Sequence, residues 1–205
     1  MQIIGPHLTL RYATADDATA LLTLGADPEV TRFFSWGPYT DLDEPAEYIA
    51  GLEGERERGE RLDFLIVHHT HGPIGVIGLI ELSSRDRRAV VGTWLGREYW
   101  GSGANAAAKA LLFHLAFGAL GLERLGAYAD LDNPRSQAAL AKLGFEREGV
   151  LRRWHRHGDQ VHDVLVYSLL KEEWERSSLA AEPVRIEGDP PASFAAGFSS
   201  AAVPS

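Results

Sequence analysis

YWGSGANAAAKALLFHLAFGALG, residues 99–121, sets two glycines and a serine directly ahead of a long, largely apolar run of helix formers. The first N–H groups of a helix have no partner inside it. They point outward at the positive end of the helix dipole and make an anion site that needs no lysine. Phosphate is the natural guest. A P-loop would follow its last glycine with a Lys-Ser/Thr pair, and here Gly103 is followed by Ala104 and Asn105. A dinucleotide fingerprint would need a third glycine and a strand that opens a βαβ unit, and neither is present. A tight turn alone would also call for Gly101 and Gly103. The helix, about residues 103–118, carries Leu111, Leu112, Leu115 and Phe117 among small alanines, as close packing onto a sheet requires.

Working outward, RAVVGTWLG before this unit and ERLGAYADL after it read as strands, so residues 88–130 form a strand, helix, strand crossover with parallel strands. Upstream, LDFLIVHH and PIGVIGLIEL are β-rich runs separated by THG, a hairpin signal, which makes the first half largely antiparallel. LTLRY, residues 8–12, alternates like a strand. Thr14 with Asp17 forms a capping-box pattern opening a helix to about Gly25, where Asp27-Pro28 breaks it, and Asp41 with Glu44 opens a second helix to about Arg58. FFSWGPYT between them reads as a loop. Downstream, Asn133 or Asp132 can cap a short helix, PRSQAALAKLG, ended by Gly144, and FEREGVLRRWHR and VHDVLVYSLL are two more strands joined by HGDQ. The expected fold is α/β (α+β): one domain with a mixed, mostly antiparallel seven-stranded sheet and helices on both faces.

The chain has 205 residues, 45% of them hydrophobic, which suits one well-buried domain. The domain is expected over residues 1–177. From residue 178 to 205 the composition shifts to Ala, Ser, Pro and Gly, a tail that cannot bury a core of its own and that, if docked, would use Phe194 and Phe198 as anchors. No cysteine is present, which excludes disulfides, thiolate metal sites and a cysteine nucleophile together. A net charge of −9 argues against a nucleic-acid backbone binder. The longest apolar stretch, near residues 111–122, is interrupted by His114 and too short to span a bilayer, so a soluble, cytoplasmic protein is expected. The histidines of HHTH and WHRHGDQVH sit at hairpins with no matching carboxylate spacing, so no metal is expected.

These segments in this order resemble the GNAT superfamily of acyl-coenzyme A dependent N-acetyltransferases, and within it the branch of the ribosomal-protein N-terminal acetyltransferases. The resemblance runs over about residues 8–174, through LTLRYATADDATALL, DPEVTRFFSWGPYT, RRAVVGTWLGREYWGSG, DNPRSQAALAKLGFEREGVLRR and DVLVYSLLKEEW. It implies that Trp100, Gly101, Ser102, Gly103, Ala104 and Asn105 form the turn around the coenzyme A pyrophosphate. It also implies a sheet splayed at its centre, with the strand VGTWL parting from LGAYAD and the pantetheine arm lying in the gap. Main-chain groups of Trp94 and Leu95 would pair with the arm as an added strand does, and Asn133 would reach it from the far side.

The chemistry so implied is direct attack of a neutral amine on the thioester of acetyl-CoA, without a covalent enzyme intermediate. A backbone N–H near Leu95 would stabilise the oxyanion, and Ser136 would stand near the sulfur, with Tyr128 the other candidate. The sequence departs from the family in one respect: many members carry Glu where this chain has Val90. Glu81, Asp163, Glu98 or the histidines of the last hairpin would then relay the proton through water. Phe34, Trp36 and Tyr39 are expected to line the acceptor side. Partners expected are acetyl-CoA and an amine acceptor, a peptide N-terminus or a small amine, with no nucleic acid or membrane and with homodimer formation left open. The rival reading is a non-catalytic acyl-coenzyme A binding or sensing module, motivated by Val90.

Overall fold

The computed structural model describes residues 1–157 and 159–195. Its elements run in the order β1 (Gln2–Ile4), β2 (Leu8–Arg11), α1 (Ala18–Gly25), α2 (Pro28–Thr31), α3 (Asp43–Glu57), β3 (Arg61–His68), β4 (Gly72–Ser83), β5 (Arg88–Leu95), α4 (Ala104–Phe113), β6 (Arg124–Asp130), α5 (Pro134–Lys142), β7 (Glu146–His157), β8 (Gln160–Leu170), α6 (Lys171–Glu175), β9 (Arg185–Glu187) and α7 (Ala192–Ala195). One nine-stranded sheet orders them β7-β8-β6-β5-β4-β3-β2-β1-β9. Every neighbouring pair is antiparallel except β5 and β6.

The sheet therefore has two strands more than the seven expected. Both additions, β1 and β9, are three residues long and pair with each other at one edge, too short to show a period in the sequence. The tail segment reaches further, with Phe194 fully buried and Ser193 Oγ donating to the Arg56 carbonyl at 2.6 Å. Phe198 lies outside the described residues.

Local signals explain the helix starts. Asp17 accepts from the Thr14 amide at 2.8 Å and the Thr14 hydroxyl at 3.0 Å, while Arg11 clamps its carboxylate from β2 at 2.7 and 2.8 Å. Asp41 accepts from the amides of Asp43 and Glu44, and Glu44 reaches back to the amide and hydroxyl of Thr40. Pro28 does not simply end α1; Asp27 accepts from the Glu29 amide and starts the one-turn α2.

α4 packs Ala108, Leu111 and Leu112 onto the face of the sheet formed by Phe64, Ile77, Leu79 and Val91. It continues past Phe113 as a wider π turn, His114–Ala119, that buries Phe117 against Trp174. The opposite face packs Leu65 and Val76 under Leu21 of α1 and Ile49 of α3. Helices thus cover both faces, as expected. Among the described residues no helix is long and apolar enough to cross a membrane.

Candidate active site

β5 and β6 pair only over Arg88↔Arg124, Ala89↔Leu125 and Val90↔Gly126. Beyond that row each turns to its other neighbour, β5 to β4 through Leu95 and β6 to β8 through Asp130. The sheet is parted at its one parallel junction. Alternation along β5 sends Thr93 and Leu95 toward α4 and Val90, Gly92 and Trp94 to the opposite face, where Trp94 packs with residues of α1 and α3.

At the open end of the gap lies the glycine turn. Gly101 and Gly103 hold φ of 73° and 91°, left-handed values that favour glycine, and a Cβ on either would meet nothing within 4 Å. The space above the turn is open to a ligand. Within α4 the first amide to find a helical partner is that of Ala107, which donates to Gly103. Ser102 Oγ accepts from the Ala104 amide at 3.2 Å and donates to the Tyr99 carbonyl. Asn105 and Ala106 are left facing the cleft with the positive end of the helix.

The cleft, about 310 Å³, is bounded by Thr93, Trp94 and Leu95 of β5, Trp100 with the glycine turn, α4, and Asn133, Arg135 and Ser136 at the start of α5. Trp100 is fixed by its indole N–H, which donates to the Leu95 carbonyl at 2.9 Å. Asn133 caps α5, accepting from the Ser136 amide at 3.1 Å, and both side chains line the cleft. Of the residues expected at the carrier, Trp94, Leu95, Trp100, Gly101, Gly103, Asn105, Asn133 and Ser136 come together here, while Ser102 and Ala104 sit beside the cleft in the local cap. On the acceptor side Phe34 lines the cleft; Trp36 packs on Trp94 with ring centres 5.2 Å apart, and Tyr39 backs Trp36 at 5.0 Å.

Two basic residues here were not singled out from the sequence. Lys109, on the face of α4 toward β5, is only 5% exposed; its ammonium donates to Thr93 Oγ1 at 2.9 Å and Asn105 Oδ1 at 2.7 Å. Burial pulls its pKa down to about 7. Its signal was a single lysine inside the run AAAKALLF. Arg135 lies over the Trp100 ring at 3.2 Å. With Lys142 these make three basic residues and no carboxylate in the cleft lining, although the chain carries a net charge of −9. That charge separation suits an anionic ligand.

The other candidates lie outside the cleft lining. Glu81 accepts from the Tyr128 hydroxyl at 3.1 Å. Asp163 accepts from the Arg153 amide on the outer hairpin, and Glu98 flanks Tyr99 ahead of the glycine turn. His162 contacts Asp130 at 3.1 Å, and His68 meets His71 edge-on. Among the described residues no group of three or more His, Asp or Glu is arranged to hold a metal.

Comparison with known proteins agrees with this geometry. Residues 7–146 match the acetyltransferase (GNAT) domain family. The N-acetyltransferase p20 of Bacillus licheniformis is 34% identical over 173 residues, covering 82% of this chain and 95% of p20. A crystal structure described as an acetyltransferase from T. thermophilus superposes with a TM-score of 0.76 at 36% identity, covering 88% of this chain and 93% of that one. RimL, a ribosomal L7/L12 α-N-protein acetyltransferase solved with coenzyme A, shares the fold at a TM-score of 0.74 and 22% identity, over 84% of this chain and 99% of its own. With the parted strands, the glycine turn and these relatives in hand, the chain belongs to the GNAT family and is an N-acetyltransferase.

Proposed function

We propose that the chain transfers the acetyl group of acetyl-CoA directly to a primary amine, with a protein N-terminal α-amine as the favoured acceptor. One observation carries the reading: the sheet parts at Val90↔Gly126 beside a cleft that holds basic residues, no carboxylate and the N-terminus of α4.

In this reading the amides of Asn105 and Ala106 and the dipole of α4 hold the diphosphate, and the open space above Gly101 and Gly103 lets the backbone approach it. Main-chain groups of Trp94 and Leu95 pair with the amides of the arm. The Trp100 indole on the Leu95 carbonyl fixes the orientation of that peptide, so that a backbone N–H near Leu95 meets the developing oxyanion. Asn133 orders the start of α5 and presents Ser136 toward the sulfur. Bound acetyl-CoA supplies the activated acetyl group. Phe34, backed by Trp36 and Tyr39, forms the acceptor wall.

Val90 leaves an apolar residue at the parting of the strands, so weakly basic catalysis favours acceptors that are partly neutral already. An α-amine of pKa about 8 is roughly a tenth neutral at pH 7, a lysine near 10.4 only about one molecule in 2,500. RimL's description as an α-N-protein acetyltransferase points the same way. Thiol release from acetyl-CoA over peptides with free α-amines, aminoglycosides and polyamines tests this. Turnover on the peptides supports the reading. Silence across the panel with coenzyme A still bound would select the binding or sensing module, the alternative that Val90 favours.

A further inference from the structure

An acceptor that arrives as an ammonium must shed a proton before it can attack, yet the cleft lining contains no carboxylate. A carboxylate proton acceptor has to stand outside that lining, on the face where the acceptor enters. Ile80, Val90 and Gly126 form one row across β4, β5 and β6, the last row before the strands part. Tyr128 lies two residues beyond Gly126 and so shares the face of Val90. Glu81 follows Ile80 directly, where the β4–β5 register slips. It holds φ of 51°, a left-handed value that costs a non-glycine residue about 1–3 kcal/mol and tends to persist where function requires it. That turn brings its carboxylate within 3.1 Å of the Tyr128 hydroxyl, so the hydrogen bond spans β5 from one neighbouring strand to the other.

Beside the pair the face is open. Gly92, two residues past Val90, is exposed, and a Cβ there would meet nothing within 4 Å. Two residues further Trp94 meets the aromatic wall at Trp36. An amine entering between that wall and the parted strands crosses Gly92 toward Val90, whose partner Ile80 directly precedes Glu81. Burial, and then the adjacent carboxylate, push the Tyr128 phenol up to about 12, so it stays a donor to Glu81 at neutral pH. Arg88 of β5 and Arg124 of β6 also act on Tyr128, and the ring of His155 on β7 meets it edge-on at 5.9 Å.

We propose that Glu81 is the catalytic proton acceptor for the incoming amine and that Tyr128 is the residue that positions it; this rests on the transferase reading above. The ammonium gives one proton to the Glu81 carboxylate, which later releases it to water. The nitrogen lone pair forms the C–N bond as the C–S bond breaks. The second proton, shed by the new amide nitrogen, balances the one taken by the departing sulfur.

The test is kcat and KM on whichever amine the wild type acetylates, for Glu81→Gln, Tyr128→Phe and the double variant Glu81→Gln with Val90→Glu, with coenzyme A affinity measured alongside. The expected result is a loss of about 10²-fold or more for Glu81→Gln, carried by kcat, with coenzyme A affinity unchanged, partial recovery in the double variant, and a smaller loss of kcat at unchanged KM in Tyr128→Phe. Folded Glu81→Gln with full kcat/KM would overturn the proposal while the transferase reading stands. If that variant does not fold, an unchanged kcat in Tyr128→Phe overturns it. A wild type that binds coenzyme A but acetylates no amine would overturn both.

Discussion

The guanidinium of Arg135 lies 3.2 Å over the ring of Trp100, joining the first turn of α5 to the glycine turn across the mouth of the cleft. Trp100 in turn holds the Leu95 carbonyl, so one contact ties together three of the walls of the cleft. A cation–π pair of this kind contributes about 0.5–2 kcal/mol, and in the proposed mode of binding the charge also faces the diphosphate. Arg135→Ala should therefore weaken coenzyme A binding by roughly 10-fold and flatten its dependence on salt. Calorimetry at two ionic strengths reads both effects.

Lys109 sets a pH dependence of stability. Its folded pKa is lowered to about 7, whereas an unfolded lysine titrates near 10.4. Between those values the unfolded chain binds the extra proton, so stability rises with pH across that window; below it the full cost of the buried charge is present. Lys109→Met removes the titration. The difference between wild type and variant should shift in favour of the wild type by an amount on the order of a few kcal/mol from pH 7 to 10. Denaturant unfolding at several pH values measures it.

Gly103 precedes α4 with φ of 91°. Gly103→Ala would cost about 1–2 kcal/mol from backbone conformation alone, and a relaxed turn would misdirect the amides of Asn105 and Ala106. The expected outcome is a modest fall in melting temperature with a loss of coenzyme A affinity of at least 10-fold. Gly92→Ala is the contrast: its Cβ meets nothing within 4 Å, so coenzyme A binding should persist.

Phe194 is fully buried among residues of the main core although it lies in the Ala/Ser/Pro/Gly-rich segment. Phe194→Ala should destabilise the protein by about 3–5 kcal/mol, as for other buried phenylalanines. Thermal unfolding of that variant shows whether this segment is part of the cooperative unit.

Much of this could be read from the chain because strong local signals agreed with the global fold. The caps at Thr14, Asp41 and Asn133, the apolar face of α4 and the turn residues of the last hairpin each placed an element correctly. The glycine turn and Asn133 were legible as parts of the cleft because special backbone geometry and helix capping demand special residues. What escaped notice depended on relationships between distant strands. β1 and β9 are too short to show periodicity, and they exist because each completes the other's edge. Lys109 is one charge in a buried run, and only the packing of β5 onto α4 reveals Thr93 as its partner. The Glu81–Tyr128 bond requires a register slip in β4 that no spacing in the sequence announces.

The central claim is that coenzyme A lies in the gap between β5 and β6 with its diphosphate at the start of α4. Hydrogen–deuterium exchange with and without coenzyme A addresses it residue by residue. The account predicts slowed exchange at residues 91–95 and at residues 103–106, with the β1–β9 edge unchanged. Unaltered exchange at both segments under saturating coenzyme A, or protection confined to another part of the sheet, would contradict it.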